Sequence, residues 1–204
     1  MPDVQVVERS KSQTDAVADE QVRLGEALTR AKSIADFVII DTPGNDTKLS
    51  LQKVEAARNF ANKIWNASRL LFSKPKEGSG APVSLADRWI AHRLNEAAAK
   101  ANRYFEQHRY DQTAETLYHF WWDDFCDWYL ELKKLDSDWS FAYKVYEQAL
   151  RLLHPLMPFI TEELWQRLPV ELRGDAKSIA LARYPLGAAT DAAADAEMEA
   201  LQGI

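Results

Sequence analysis

An all-α fold, an antiparallel helical bundle carrying a non-bundle N-terminal helix-strand arm, is predicted by three features of this 204-residue sequence. Apolar residues recur at helical spacing for most of the length from Ser50 onward. Glycine and proline fall in the joints between the periodic stretches. A single stretch near residue 40, ADFVIIDTPG, reads as a buried strand ending in a turn.

The elements follow in order. In LSLQKVEAARNFANKIWNASRLLF, one stripe carries Leu51, Val54, Ala61, Ile64, Trp65, Ser68, Leu71 and Phe72. SKPKEGSGAP then breaks the pattern and reads as a flexible connector. Ser84 and Asp87 form a variant capping box for a second helix, with Trp89, Ile90, Leu94, Ala97, Ala101 and Phe105 along it. Asp111 is the expected cap of a third helix, DQTAETLYHFWWDDFCDWYLELKKL. Its stripe is Ala114, Leu117, Trp121, Phe125, Trp128 and Leu132, and Lys133 and Lys134 suit its negative C-terminal end. A fourth helix runs from about Trp139 to His154 and stops at Pro155 and Pro158. Thr161 is the expected cap of a fifth, TEELWQRL. KSIALARYP reads as a short extended piece. DAAADAEMEALQGI reads as a final helix, whose support by the bundle the pattern leaves open. The division is therefore residues 1–42 as an N-terminal arm, 43–170 as the bundle and 171–204 as a C-terminal extension. Within the arm, residues from about Ala16 to Lys32 read as a helix. The strand from Phe37 to Ile40 has no comparable strand to join.

Composition narrows the function classes. A chain 47% hydrophobic and 11% aromatic, with seven tryptophans, is not disordered. No apolar run approaches the roughly 20 residues of a membrane helix, and the first residues lack a signal-peptide core. One cysteine, Cys126, excludes an internal disulfide and a Cys-rich metal site. Together these imply a soluble protein of a reducing cytoplasm, with no membrane. The formal charge of −6 argues against indiscriminate nucleic-acid binding but leaves room for a local basic face.

Five ordered phrases carry a resemblance. PGNDTKLSLQKVEAARNFANKIWNASRLLF, LADRWI, FWWDDFCDWYLELKK, LRLLHPLMPFITEELWQRLP and the closing SIALARYP with DAEMEALQGI resemble the valyl-tRNA synthetases, which are class I aminoacyl-tRNA synthetases. The isoleucyl and leucyl enzymes share the helical fold, and RNFANKIWNASR with FCDWYLE favours valyl. The resemblance implies a bundle of the class I anticodon-binding type. It also implies that the Rossmann domain, the HIGH motif and the editing domain have no counterpart in these residues. The chain alone is then expected not to catalyse aminoacylation. No cofactor is expected in it, since ATP and Mg are implied for the full parent enzyme alone. The implied partners are a valine-accepting tRNA and the parent's catalytic domain. Residues from about 16 to 46, including FVIIDTPGND, resemble instead the second ATP-site segment of partitioning ATPases with a deviant Walker A motif. The Gly-rich phosphate loop that such a site needs is missing from the sequence.

An anticodon loop offers unpaired bases that stack on aromatic or guanidinium planes and present their edges. Arg58, Asn59, Asn62, Lys63, Asn66 and Arg69 recur at helical spacing on the first bundle helix. Of these, Arg58, Asn62, Lys63, Asn66 and Arg69 are the expected tRNA contacts. Trp122 joins them as the surface aromatic, while Trp121, Phe125 and Trp128 are expected in the core. The bland alternative pairs the arginines with carboxylates and leaves the asparagines to water. Asp123, Asp124 and Asp127 are expected in ion pairs rather than around a cation, and Cys126 is expected to be a buried, inert thiol. His154 reads as a helix-end residue with a local hydrogen bond, and no catalytic triad or metal spacing is present. The rival functions are a helical protein-interaction module derived from a synthetase domain, and the remnant of a partitioning-ATPase fusion.

Overall fold

A computed structural model of the chain describes residues 6–7, 39–40, 47–188 and 190–203, with side chains from residue 55 onward. The expected helix at 16–32 lies outside the described residues. The chain divides into two units, Met1–Ala56 and Ala57–Ile204. In the first, β1 (Val6–Val7) pairs in parallel with β2 (Ile39–Ile40), matching Val6 with Ile39 and Val7 with Ile40. The strand expected to stand alone therefore has a partner in its own chain. VQVV is too short to announce a strand, and the intervening chain exceeds the dozen or so residues a parallel crossover needs.

The other described elements are helices. α1 spans Thr47–Phe72, α2 Leu85–Glu106, α3 Tyr110–His119, and α4 Leu130–Lys133. Between α3 and α4 the chain stays helical but widens into a π-helical run, Phe120–Tyr129. α5 is Ser140–Leu153, α6 Pro158–Gln166, α7 Val170–Arg173 and α8 Ala192–Gln202. Side-chain contacts give the directions. Tyr146 reaches Ser68 and Tyr143 reaches Leu71, so α1 and α5 run antiparallel. Asp87 meets Tyr129 while Arg93 meets Asp124, so α2 and the π run do too. The all-α bundle expected from the periodicity is the fold.

The core is aromatic. Trp121, Phe125, Tyr129, Trp139, Tyr143, Tyr146 and Trp165 are all buried. Trp121 meets Tyr146 edge-on at 5.8 Å and 80°, and Phe125 at 5.3 Å and 69°, the geometry that ring quadrupoles favour. Buried hydroxyls find partners: Tyr146 donates to Ser68 Oγ at 2.6 Å, and Tyr143 donates to the Leu71 carbonyl at 2.7 Å. The second bond adds to the one the Leu71 carbonyl accepts from Lys74 N at 3.0 Å, closing the end of α1. Glu147, also buried, accepts from Trp165 Nε1 at 3.0 Å and Arg151 Nη2 at 2.7 Å.

Several local expectations are corrected. Trp128 is 40% exposed, not core. The stripe Trp121, Phe125, Trp128 assumes 3.6 residues per turn, whereas i→i+5 bonding widens the turn. The buried spacing becomes four, and Tyr129 replaces Trp128. Ala114 is also exposed. Asp111 is not the cap: α3 starts one residue earlier after Arg109, just past His108, whose left-handed φ of 57° turns the chain. Asp111 sits in the first turn, where its charge still meets the positive helix end. Thr161 lies inside α6, which opens on Pro158, a residue with no N–H to satisfy there. Its hydroxyl donates to the Met157 carbonyl at 2.8 Å, and His154 Nδ1 lies 2.8 Å from Thr161 Oγ1. The SKPKEGSGAP connector is tied down: Gly80 N donates to Ser140 Oγ at 2.8 Å, and Lys144 donates to the Gly80 carbonyl at 2.7 Å. In KSIALARYP, Ile179–Leu181 is a 3₁₀ turn rather than extended chain. The final helix is supported, since α8 packs on α2 and buries Ala194 and Met198.

The capping box of α2 is present as expected, but its acid does more than cap. Asp87 N donates to Ser84 Oγ at 3.1 Å, and Ser84 N donates back to Asp87 Oδ2 at 3.3 Å. Asp87 also accepts from the Tyr129 hydroxyl at 2.7 Å and lies 3.2 Å from Lys133 Nζ. Lys133, read as a charge suited to a helix C-terminal end, is 1% exposed and also bonds Asp136 at 2.7 Å. Burial, then the neighbouring Asp87 carboxylate, push the Tyr129 hydroxyl far above its ordinary pKa, so it stays a donor.

Two outcomes follow from this packing. Asp87→Ala leaves the buried Lys133 ammonium with Asp136 as its one carboxylate and removes the reciprocal half of the capping box, so it should destabilise the bundle by about 3 kcal/mol, whereas Ser84→Ala should cost about 1 kcal/mol. Urea unfolding followed by far-UV circular dichroism measures both. Cys126 is buried, and desolvation pushes its thiol up to about 12. A water-soluble disulfide reagent at pH 8 should leave it unmodified in the native chain and label it rapidly in denaturant.

Candidate nucleic-acid interface

The second half of α1 carries the candidate surface. Phe60, Ile64, Ala67, Ser68 and Leu71 are buried at spacings of three and four, which fixes the opposite face outward. Arg58, Asn59, Asn62, Asn66 and Arg69 are exposed on that face, with Glu55 one turn before Arg58. Among the described residues none of the five makes a side-chain hydrogen bond or ion pair. The bland alternative, arginines paired to carboxylates, therefore has no support there.

The two edges of this face differ from its centre. Lys63 is half-buried and pairs with Asp127, while its Nζ stands 4.4 Å from the centre of the Trp122 ring. Trp122, half-buried, stacks on Tyr118 at 5.5 Å and 19°, and Tyr118 packs on Phe60 at 4.9 Å. The structure thus brings Lys63 and Trp122 together, but as one closed unit in which the lysine charge is already met by a carboxylate. On the other edge Trp65, expected to turn inward, is only half-buried. The guanidinium of Arg167, the C-terminal cap of α6, lies 4.9 Å from its ring centre.

The acidic run of the π segment behaves as expected. Asp123 pairs with His119 at 2.7 Å, Asp124 with Arg93 at 3.0 Å, and Asp127 with Lys63. Burial raises the Asp124 carboxyl, opposed by the Arg93 charge beside it. Their three partners lie on different elements, His119 at the end of α3, Arg93 on α2 and Lys63 on α1, so the acids do not converge. Among the described residues no group of three or more His, Cys, Asp or Glu side chains is arranged to hold a metal ion. His154 ends α5 and bonds locally to Thr161, and burial lowers its pKa. No described helix is long and apolar enough to cross a membrane.

The fold defines the class: an all-α helical-bundle domain. The family model for the anticodon-binding domain of tRNA ligase matches residues 87–204, more than half of the sequence, and the chain belongs to that family. Among curated relatives, it is 53% identical over 160 residues to the valine--tRNA ligase of Solibacter usitatus, covering 77% of this chain and 19% of that protein. It is 42% identical over 163 residues to the valine--tRNA ligase of Carboxydothermus hydrogenoformans, covering 73% and 18%. With the Geobacter sulfurreducens valine--tRNA ligase it shares 44% over 184 residues, covering 79% and 20%. The chain spans about a fifth of the length of these relatives. Residues 1–67 match a second family model, ATPase MipZ, in line with the partitioning-ATPase resemblance of the first segment.

Proposed function

We propose that this chain is a tRNA-binding module that meets the anticodon loop of a valine-accepting tRNA through the exposed face of α1. Residues 43–170 form the recognition bundle in this reading, 171–204 an extension of it and 1–42 an arm. The single observation that carries it is the row Arg58, Asn62, Asn66 and Arg69, which sets guanidinium and amide groups along one exposed face without side-chain partners among the described residues, unlike Arg88 and Arg167. Arg88 pairs with Asp191 and Glu197, and Arg167 with Glu163. An uncommitted guanidinium contacts phosphate at little cost, because no ion pair is broken first. Asparagine amides present the donor and acceptor pair that reads a base edge.

The role is binding. The valine--tRNA ligases it resembles join valine to tRNA with ATP and Mg, and in this reading that chemistry rests with a catalytic domain that is the module's partner. The site of action is the cytoplasm, where tRNA is charged. The charge of −6 suits a module that binds through one face, since the remaining acidic surface repels nucleic acid elsewhere.

Fluorescence anisotropy at low salt, with a valine-accepting tRNA and the same tRNA carrying an altered anticodon, tests the reading. Arg58→Ala or Arg69→Ala should weaken binding by about 1–3 kcal/mol. Lys63→Ala should cost less than either, because its charge is already met by Asp127. Equal affinity for both tRNAs, unchanged in the arginine variants at constant helical content, would overturn it in favour of a protein-interaction module.

A further inference from the structure

Two tryptophans flank the exposed face of α1, and over each a carboxylate holds a cation. On one edge Asp127 holds Lys63 against Trp122. On the other, Glu163 holds Arg167 against Trp65: Arg167 Nε and Nη2 donate to Glu163 Oε1 at 3.1 and 2.5 Å, and the guanidinium lies 4.9 Å from the ring centre. The cations differ in what they still offer. Lys63 is a point charge, 28% exposed, with its partner in place. Arg167 is a plane, 48% exposed, with Trp65 beneath it and its Nη1 unbonded among the described residues.

Placement makes that plane useful. Asn62 and Arg69 lie three positions before and four after Trp65, its nearest neighbours along the helix surface. A residue seated on Trp65 is therefore beside the middle of the α1 row. A guanidinium plane stacks on a nucleobase as an aromatic does, and one already fixed in place loses little freedom on doing so. Glu163 and Trp65 supply that fixing, which an isolated surface arginine lacks.

The geometry points to Arg167 as a further RNA-contacting residue, which stacks one unpaired base of the loop on its outer face with Trp65 as the backing surface. This rests on the α1 reading and extends it across to α6. The pairing with Glu163 has a second consequence: it satisfies two guanidinium donors, so Arg167 contributes as a stacking plane more than as a phosphate anchor. Its loss should be felt through the base, not through the backbone charge.

Anisotropy with a labelled anticodon stem-loop, and with the same RNA made abasic at one loop position at a time, separates those contributions. Arg167→Ala should weaken binding to the intact loop about tenfold, the effect of one lost base stack. On the loop lacking the stacked base, the variant and the unaltered chain should bind equally. Arg167→Lys, which keeps the charge without the plane, should behave as the alanine variant does. Glu163→Gln, which loosens the plane, should fall between. Equal binding of Arg167→Ala and the unaltered chain to the intact loop would overturn the assignment while leaving the α1 reading in place. So would full rescue by lysine, or the same loss on every abasic loop, either of which makes Arg167 a charge contact. If the unaltered chain binds no stem-loop, both readings fail together. Far-UV circular dichroism confirms that each variant, altered at a half-exposed position, keeps its helices.

Discussion

The buried carboxylate of Asp87 is the constraint on which the rest of the bundle turns. It closes the capping box of α2, accepts from the Tyr129 hydroxyl, and neutralises the ammonium of Lys133 in an almost dry site. A buried ion pair of this kind adds little net stability over an apolar substitute, yet it is costly to break from one side. What it contributes is register. Tyr129 ends the π-helical run, and fixing it fixes the phase of that run. Trp121 and Phe125 then point into the core, while Trp122 and Asp127 face α1.

That phase sets the edges of the candidate interface. With Trp122 and Asp127 held outward, Lys63 closes against them, and one side of the α1 row becomes a packed wall. On the other side Arg167, at the C-terminal cap of α6, covers Trp65 of α1. Between the two walls run side chains with no partners of their own among the described residues. A surface with satisfied edges and an unsatisfied centre suits a ligand that brings its own acceptors and π faces, as an unpaired RNA loop does.

Much of this was legible in the residues. Ser84 and Asp87 announced the start of α2, helical spacing gave Ile64 and Leu71 as core, and the ordered phrases pointed to the family. What was not legible has physical causes. A stripe counted at 3.6 residues per turn put Trp128 inside, because nothing local signals that ten residues adopt i→i+5 bonding. Lys133 read as a helix-end charge because its partner Asp87 lies on another helix. Arg167 was overlooked for the same reason: EELWQR shows an ordinary i,i+4 pair with Glu163, and only the fold sets it over Trp65. The parallel partner of Ile39–Ile40 was not legible because two paired residues leave no periodic trace.

The indole N–H resonances of the seven tryptophans offer the most direct measurement of where RNA meets this chain. In a titration with the anticodon stem-loop of a valine-accepting tRNA, followed by nitrogen–proton correlation spectra, Trp65 and Trp122 should move in proportion to saturation. Trp121, Trp139 and Trp165, buried in the core, should stay in place. Movement confined to Trp128, or saturable binding that leaves Trp65 and Trp122 unshifted, would place the contact elsewhere and contradict the account.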